Sequence, residues 1–307
     1  MNNLMNYNFK LINNQIENKF GQKNNQSKHF RKNMCRNENK NIQVTKNNLS
    51  SNKNTVFFIS ISNLNKGKLF VIQQILKSNY KCIIGFDIKY HKNKHELQSK
   101  IKDFSNFIKD TLQTDITIFL ETEMFPLDNT NLLKKYGEKI NNFNGKWTNN
   151  PSKLGCLDWF YTNHNFEYMW YIEDDLLCKD VNALLNKYNQ FNSDLICTID
   201  EFHLPNWFYD KWKVGDIKHG FDLSHLYIAR YSKQFVINFF EYINITNSTS
   251  HHEIFIPYVL NYYHLNHKNL DKEDTKNLHL NNHSTTRIYN LSNIHNSKSI
   301  LFHPFKI

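Results

Sequence analysis

The sequence predicts an α/β fold: a doubly wound, mostly parallel sheet with a mixed C-terminal half. Three observations predict it. Short apolar runs recur from Thr55 onward, helix-spaced segments fill the intervals between them, and after Asp200 the alternation gives way to an aromatic loop, a strand and two helices. Strand, helix, strand in repetition is the pattern of a parallel sheet with helices on its faces.

The runs TVFFISIS (55–62), KCIIGFDI (81–88), DITIFLET (115–122), YMWYIEDD (168–175) and DLICTI (194–199) are rich in β-branched and aromatic residues. They are apolar at odd and even positions alike, as a strand covered on both faces must be. Segments 69–79, 95–112, 152–162 and 181–191 repeat their apolar residues at helical spacing. Beyond them, EFHLPNWFYDKWK (201–213) reads as a loop, LSHLYIARY (223–231) as a strand, and 233–243 and 253–264 as helices. The domain organisation expected is a basic arm over 1–53 and one domain over 54–307. Its 54–200 half is nucleotide-binding-like in pattern and its 201–307 half is of a different, mixed character.

The chain of 307 residues carries a formal charge of +10, and that charge is unevenly placed. Through residue 53, ten Lys and Arg face two Glu, so the arm holds +8 and the body only +2. The arm is dominated by Asn and Lys without an apolar period, which predicts disorder. With the body near neutral, nucleic acid is not the expected partner. A hydrophobic fraction of 40% supplies a sizeable core. No run approaches the ~18–20 apolar residues of a membrane span, and MNNLMNYNFKLI is too broken by Asn for a signal sequence, so the expected location is cytoplasmic. Five cysteines, an odd number without metal-type spacing, predict reduced core thiols.

The functional signal lies where YMWYI runs into Glu173, Asp174 and Asp175. In an open α/β sheet, ligands bind beyond the carboxyl ends of the strands. Strand alternation would place Glu173 and Asp175 on one side and Asp174 on the other. Such hard oxygen ligands suit Mg²⁺ or Mn²⁺, which neutralises a diphosphate. A helix N-cap would explain one acid and leave the others repelling each other against an apolar strand. Ser250 and Glu253 have the spacing of a capping box. Trp207, Phe208, Tyr209 and Trp212 cluster in the loop, either as a sugar-stacking platform or as loop packing.

The segment LGCLDWFYTNHNFEYMWYIEDDLLCKD, with DLICTI beyond it, resembles the centre of GT-A-fold nucleotide-sugar glycosyltransferases, in which a strand ends in an acidic D-x-D-type motif. The resemblance implies that Asp175 ligates a divalent metal and that Glu173 lies near the ribose or metal, with Asp174 a further donor-binding candidate. The first acid here is Glu where the motif has Asp. STSHHEIFIPYVL is similar to the Glu-containing helix start of core-2 branching N-acetylglucosaminyltransferase-like proteins, which implies that Glu253 is the catalytic base. That family works without metal. SILFHPFKI resembles the late segment in which several GT-A enzymes place a His on the metal and a Lys on the diphosphate, here His303 and Lys306.

The expected activity is transfer of a sugar from a nucleotide-diphosphate donor to an acceptor hydroxyl, glycan or otherwise, with Mn²⁺ or Mg²⁺ assisting and with inversion if Glu253 is the base. Trp207 and Trp212 would face the acceptor. The rival readings are a metal-dependent phosphohydrolase or nuclease, and a noncatalytic carbohydrate-binding protein on the same fold.

Overall fold

A computed structural model gives the structure of residues 54–61, 66–86, 98–99, 101–103, 105–106, 109–110, 117–120, 151–173, 175–202, 221–246, 252–278 and 291–303. The basic arm, Asp174, Trp207, Trp212 and Lys306 lie outside the described residues.

Strand β1 (Thr55–Ile61) is buried at all seven positions, because helices cover both faces of the sheet. It leads through α1 (Lys66–Lys77) to β2 (Lys81–Phe86), and β3 (Thr117–Leu120) follows. The chain then forms α2 (Pro151–Thr162), β4 (Tyr168–Ile172), the two-residue β5 (Leu177–Cys178), α3 (Val181–Tyr188) and β6 (Leu195–Phe202). The second half supplies β7 (Phe221–Ser232), α4 (Lys233–Thr246), α5 (His252–Tyr262), β8 (His267–Asn269), α6 (Lys272–Thr275), α7 (Leu291–Asn296) and β9 (Leu301–Phe302).

Seven strands form one sheet in the order β3-β2-β1-β4-β7-β6-β8, and β5 pairs separately with β9. The pairings β1·β2, β2·β3, β1·β4 and β6·β8 are parallel, whereas β7 is antiparallel to both β4 and β6. Six of the seven strands therefore share a direction. The expected doubly wound, mostly parallel sheet is present, with β7 as the inserted reversal between β4 and β6.

The strand period of two divides the core between the faces. Phe57, Ile59, Trp170 and Ile172 pack with α1 and α3, while Val56, Phe58, Met169 and Tyr171 pack with α2, α4 and α5. Each large apolar side chain so buried contributes about 1.5–3 kcal/mol. The end of α2 is held by the Lys233 ammonium, which donates to the carbonyls of Phe160, Tyr161 and Asn163. Those carbonyls include ones that a helix end leaves without an intrahelical donor. The four described cysteines are buried and in no disulfide, and burial pushes the thiols of Cys82, Cys178 and Cys197 up, away from nucleophilic use. Among the described residues no helix is long and apolar enough to cross a membrane.

Candidate metal and active site

The chain runs from β1 to β2 and β3 on one side of the sheet and then places β4 on the other side of β1. Between β1 and β4 the order reverses, and the crevice beyond their carboxyl ends is where an open α/β sheet binds ligands. Glu173 follows the last residue of β4 at this point.

The strand is the apolar stretch Tyr168–Ile172, as expected, and the acids follow it rather than continue it. β4 stops at Ile172, and the Leu176 N–H donates to the Glu173 carbonyl at 3.2 Å, closing a turn. Strand alternation is therefore not what brings the carboxylates together. The turn does so: a carboxylate oxygen of Glu173, one of Asp175 and a ring nitrogen of His303 lie within 4.8 Å of one another. An N-capping role for Asp175 is also displaced, because α3 is capped by Asp180, whose carboxylate accepts from the Ala183 N–H at 2.9 Å.

His303 reaches the acids through register. β5 follows the acidic turn and pairs antiparallel with β9, Leu177 opposite Phe302 and Cys178 opposite Leu301. One step further along that ladder brings His303 alongside Leu176 and next to Asp175. Its Nε2 lies 2.9 Å from Asp175 Oδ1, with the side chains 10% and 29% exposed respectively. The other side of this segment is anchored as well. The His303 N–H donates to the Asn277 carbonyl at 3.1 Å, and Ser299 Oγ donates to the Asp274 carbonyl at 2.9 Å. The Asp274 carboxylate in turn accepts from Tyr188 Oη at 2.6 Å and Lys187 Nζ at 2.8 Å, which ties the whole unit to α3. Lys179 completes the dock by donating to the Ser297 carbonyl at 2.6 Å, near the end of α7.

The wall of the site comes from β7, which runs past the end of β4. Ile228 pairs with Ile172, so residues 221–227 project beyond it. The Tyr227 carbonyl accepts from the Glu173 N–H at 2.8 Å, and the Tyr227 ring stacks on His303 with centroids 3.6 Å apart. His225 continues the column at 6.2 Å from Tyr227. Burial raises the Tyr227 phenol above its ordinary pKa, and the charges of Glu253, Glu173 and Asp175 raise it further. Tyr227 thus lies in the field of all three carboxylates. Glu253 arrives on the first turn of α5, which Ser224 of β7 ties down by donating from Oγ to the Glu253 carbonyl at 2.8 Å.

Of the residues singled out in the sequence, Glu173, Asp175 and His303 meet directly, and Glu253 lies close enough for its charge to reach Tyr227. Asp174, Lys306, Trp207 and Trp212 fall outside the described residues. The last residue of β6, Phe202, pairs with the first of β7, Phe221. Sequence reasoning missed Tyr227 and Lys68. Tyr227 was one apolar residue in a strand, while Lys68, on the first turn of α1, donates from Nζ to the Glu173 carbonyl at 2.5 Å and is only 2% exposed.

No family model matches the chain, and no curated protein matches it. Among solved structures, it is similar to galactosyltransferase LgtC in complex with donor and acceptor sugar analogues, with TM-score 0.41 and 10% identity over 71% of this chain and 74% of that one. An active-site mutant of LgtC gives TM-score 0.42 and 7% identity over 82% and 88% of the two chains. A protein described as a glucose-1-phosphate thymidylyltransferase from Bacillus anthracis, in complex with sucrose, gives 0.39 and 11% over 71% and 87%. These likenesses are remote, and the function proposed next stands on the geometry of the site.

Proposed function

We propose that the chain is a nucleotide-sugar glycosyltransferase that uses a divalent metal held by Glu173, Asp175 and His303. One observation carries the reading: two carboxylates and an imidazole from separate parts of the chain converge, donor atoms within 4.8 Å, at the strand-order reversal of a doubly wound sheet. Ligand atoms sit roughly 2.0–2.6 Å from such an ion and hence within about twice that distance of one another. Mixed oxygen and nitrogen donors suit Mn²⁺, and Mg²⁺ where oxygen predominates.

A metal bound there supplies positive charge to the diphosphate as it leaves the sugar. The chain's own groups do the rest. Glu173 and Asp175 present oxygens from a fixed turn, and Tyr227 packs flat on His303 and holds its ring plane. Glu253 accepts the proton of an acceptor hydroxyl as that oxygen attacks the anomeric carbon and the diphosphate departs from the opposite side, an inverting displacement. Lys306, three residues past His303, provides a point charge for the diphosphate. Trp207 and Trp212 provide flat faces for the acceptor sugar.

The test is thermal denaturation of the full chain against a panel of nucleotide sugars with and without Mn²⁺, followed by assays of donor hydrolysis and transfer. A ligand that binds only the folded state raises its stability. The reading expects stabilisation by at least one nucleotide-diphosphate sugar that disappears when Mn²⁺ is chelated. Stabilisation by none, with or without metal, contradicts it.

A further inference from the structure

We infer that Lys68 is a positioning residue for the carboxylate pair, an inference that rests on the metal site proposed above. Lys68 follows β1 and Glu173 follows β4, so the bond between them spans the crevice at the point where the strand order reverses. Lys68 as a whole is 2% exposed, an environment in which a charged group loses its hydration. A lysine is a poor choice for filling space on the inner face of α1, where Leu69, Val71 and Ile72 otherwise pack. What it meets is the main-chain oxygen of an acidic residue.

That carbonyl already accepts the Leu176 N–H, which closes the turn. The second donor therefore adds little to satisfying it and much to fixing its direction, since a bond to an ammonium is stronger than one between neutral groups. The preceding peptide is held too, because the Glu173 N–H donates to the Tyr227 carbonyl at 2.8 Å. Glu173 is thus clamped on both sides, by β7 through its N–H and by α1 through its carbonyl, just where the chain leaves the sheet. The Asp175 carboxylate is set by the same turn. Ligand atoms must be held to within ~0.5 Å for productive coordination, and supporting groups of this kind set that precision. In this role Lys68 acts through the Glu173 backbone, to whose carbonyl it donates.

The experiment is calorimetric titration of Mn²⁺ into full-length wild type, Lys68→Met and Arg230→Met, with melting temperatures measured alongside. Arg230→Met removes another buried cation that bonds main-chain carbonyls, at the opposite end of the sheet. Lys68→Met is expected to fold with little change in melting temperature and to bind Mn²⁺ about 10–100-fold more weakly, the loss typical of a removed supporting group. Arg230→Met is expected to melt lower and bind Mn²⁺ as wild type does. Folded Lys68→Met with wild-type Mn²⁺ affinity overturns the inference and leaves the metal site standing, whereas wild type that binds no Mn²⁺ overturns both. Should Lys68→Met not fold, the titration on Lys68→Gln decides. Its shorter arm cannot reach the carbonyl, so weaker binding supports the inference and wild-type affinity overturns it.

Discussion

The two ends of the sheet around β4 and β7 each bury a cation against main-chain carbonyls, yet among the described residues only one end holds a carboxylate cluster with the spacing of a metal site. At the amino end of β4, Arg230 is 1% exposed and lies 4.4 Å from the centre of the Tyr168 ring. Its guanidinium donates to the carbonyls of Tyr188, Phe191 and Ser193, and burial lowers its pKa to about 10 while Tyr168 and Asp194 act the other way. The carbonyls it bonds all lie along the connection from α3 to β6. At the carboxyl end, Lys68 uses a similar bond on a carbonyl whose side chain belongs to the ligand cluster. Burying a cation on backbone oxygens is thus a structural device at one end and, in the account proposed, a device for aiming ligands at the other.

Four changes sharpen or break that contrast. The largest effect is expected at Glu253. As the base, Glu253→Gln lowers the transfer rate by ~10²–10⁴-fold at matched donor occupancy. As a cap alone, it costs under ~1 kcal/mol of stability, because Gln also serves a capping box. Transfer at the wild-type rate removes the base assignment. Next is Arg230→Met, which leaves three main-chain carbonyls short of a donor and should destabilise the fold by about 3 kcal/mol in urea unfolding. If it weakened metal binding instead, the two ends would not be separable. Lys306→Ala is expected to weaken a nucleoside diphosphate by about tenfold, the worth of one charge-assisted contact, and a nucleoside monophosphate much less. Equal effects on both ligands would make Lys306 a structural residue. The smallest effect is at Ser224→Ala, which removes the bond to the Glu253 carbonyl and should cost about 1 kcal/mol by the same unfolding assay.

The contrast also explains what could be read in advance. Buried strands announce themselves, because a run such as TVFFISI leaves no face for water, and α2, α4 and α5 lie close to where apolar spacing placed them. The placement of β7 between β4 and β6, antiparallel to both, was not legible. Its apolar pattern is the same whichever neighbours it has, and pairing is decided only when the chain closes. In the site, the acids stood out by charge against an apolar strand, and His303 stood out through a family resemblance. That they meet depends on the β5·β9 ladder, two residues on each side, too short to leave a period in the sequence. Lys68 left no signal at all. One lysine in KGKLF resembles any solvated residue at a helix start, and its burial depends on where the first turn of α1 meets Glu173, far away in sequence.

The central claim is that Glu173, Asp175 and His303 bind a divalent metal that serves a diphosphate. The most direct measurement is calorimetric titration of Mn²⁺ into the full chain and into Asp175→Asn, each with and without a nucleoside diphosphate. Asp175→Asn relieves repulsion within the acidic cluster and weakens the contact with His303, so it should keep the fold with a stability near that of wild type. The account predicts Mn²⁺ binding to wild type that tightens when diphosphate is present. It also predicts a loss in Asp175→Asn larger than the ~10–100-fold expected of a supporting residue. Mn²⁺ binding by Asp175→Asn that matches wild type, with and without diphosphate, would contradict it.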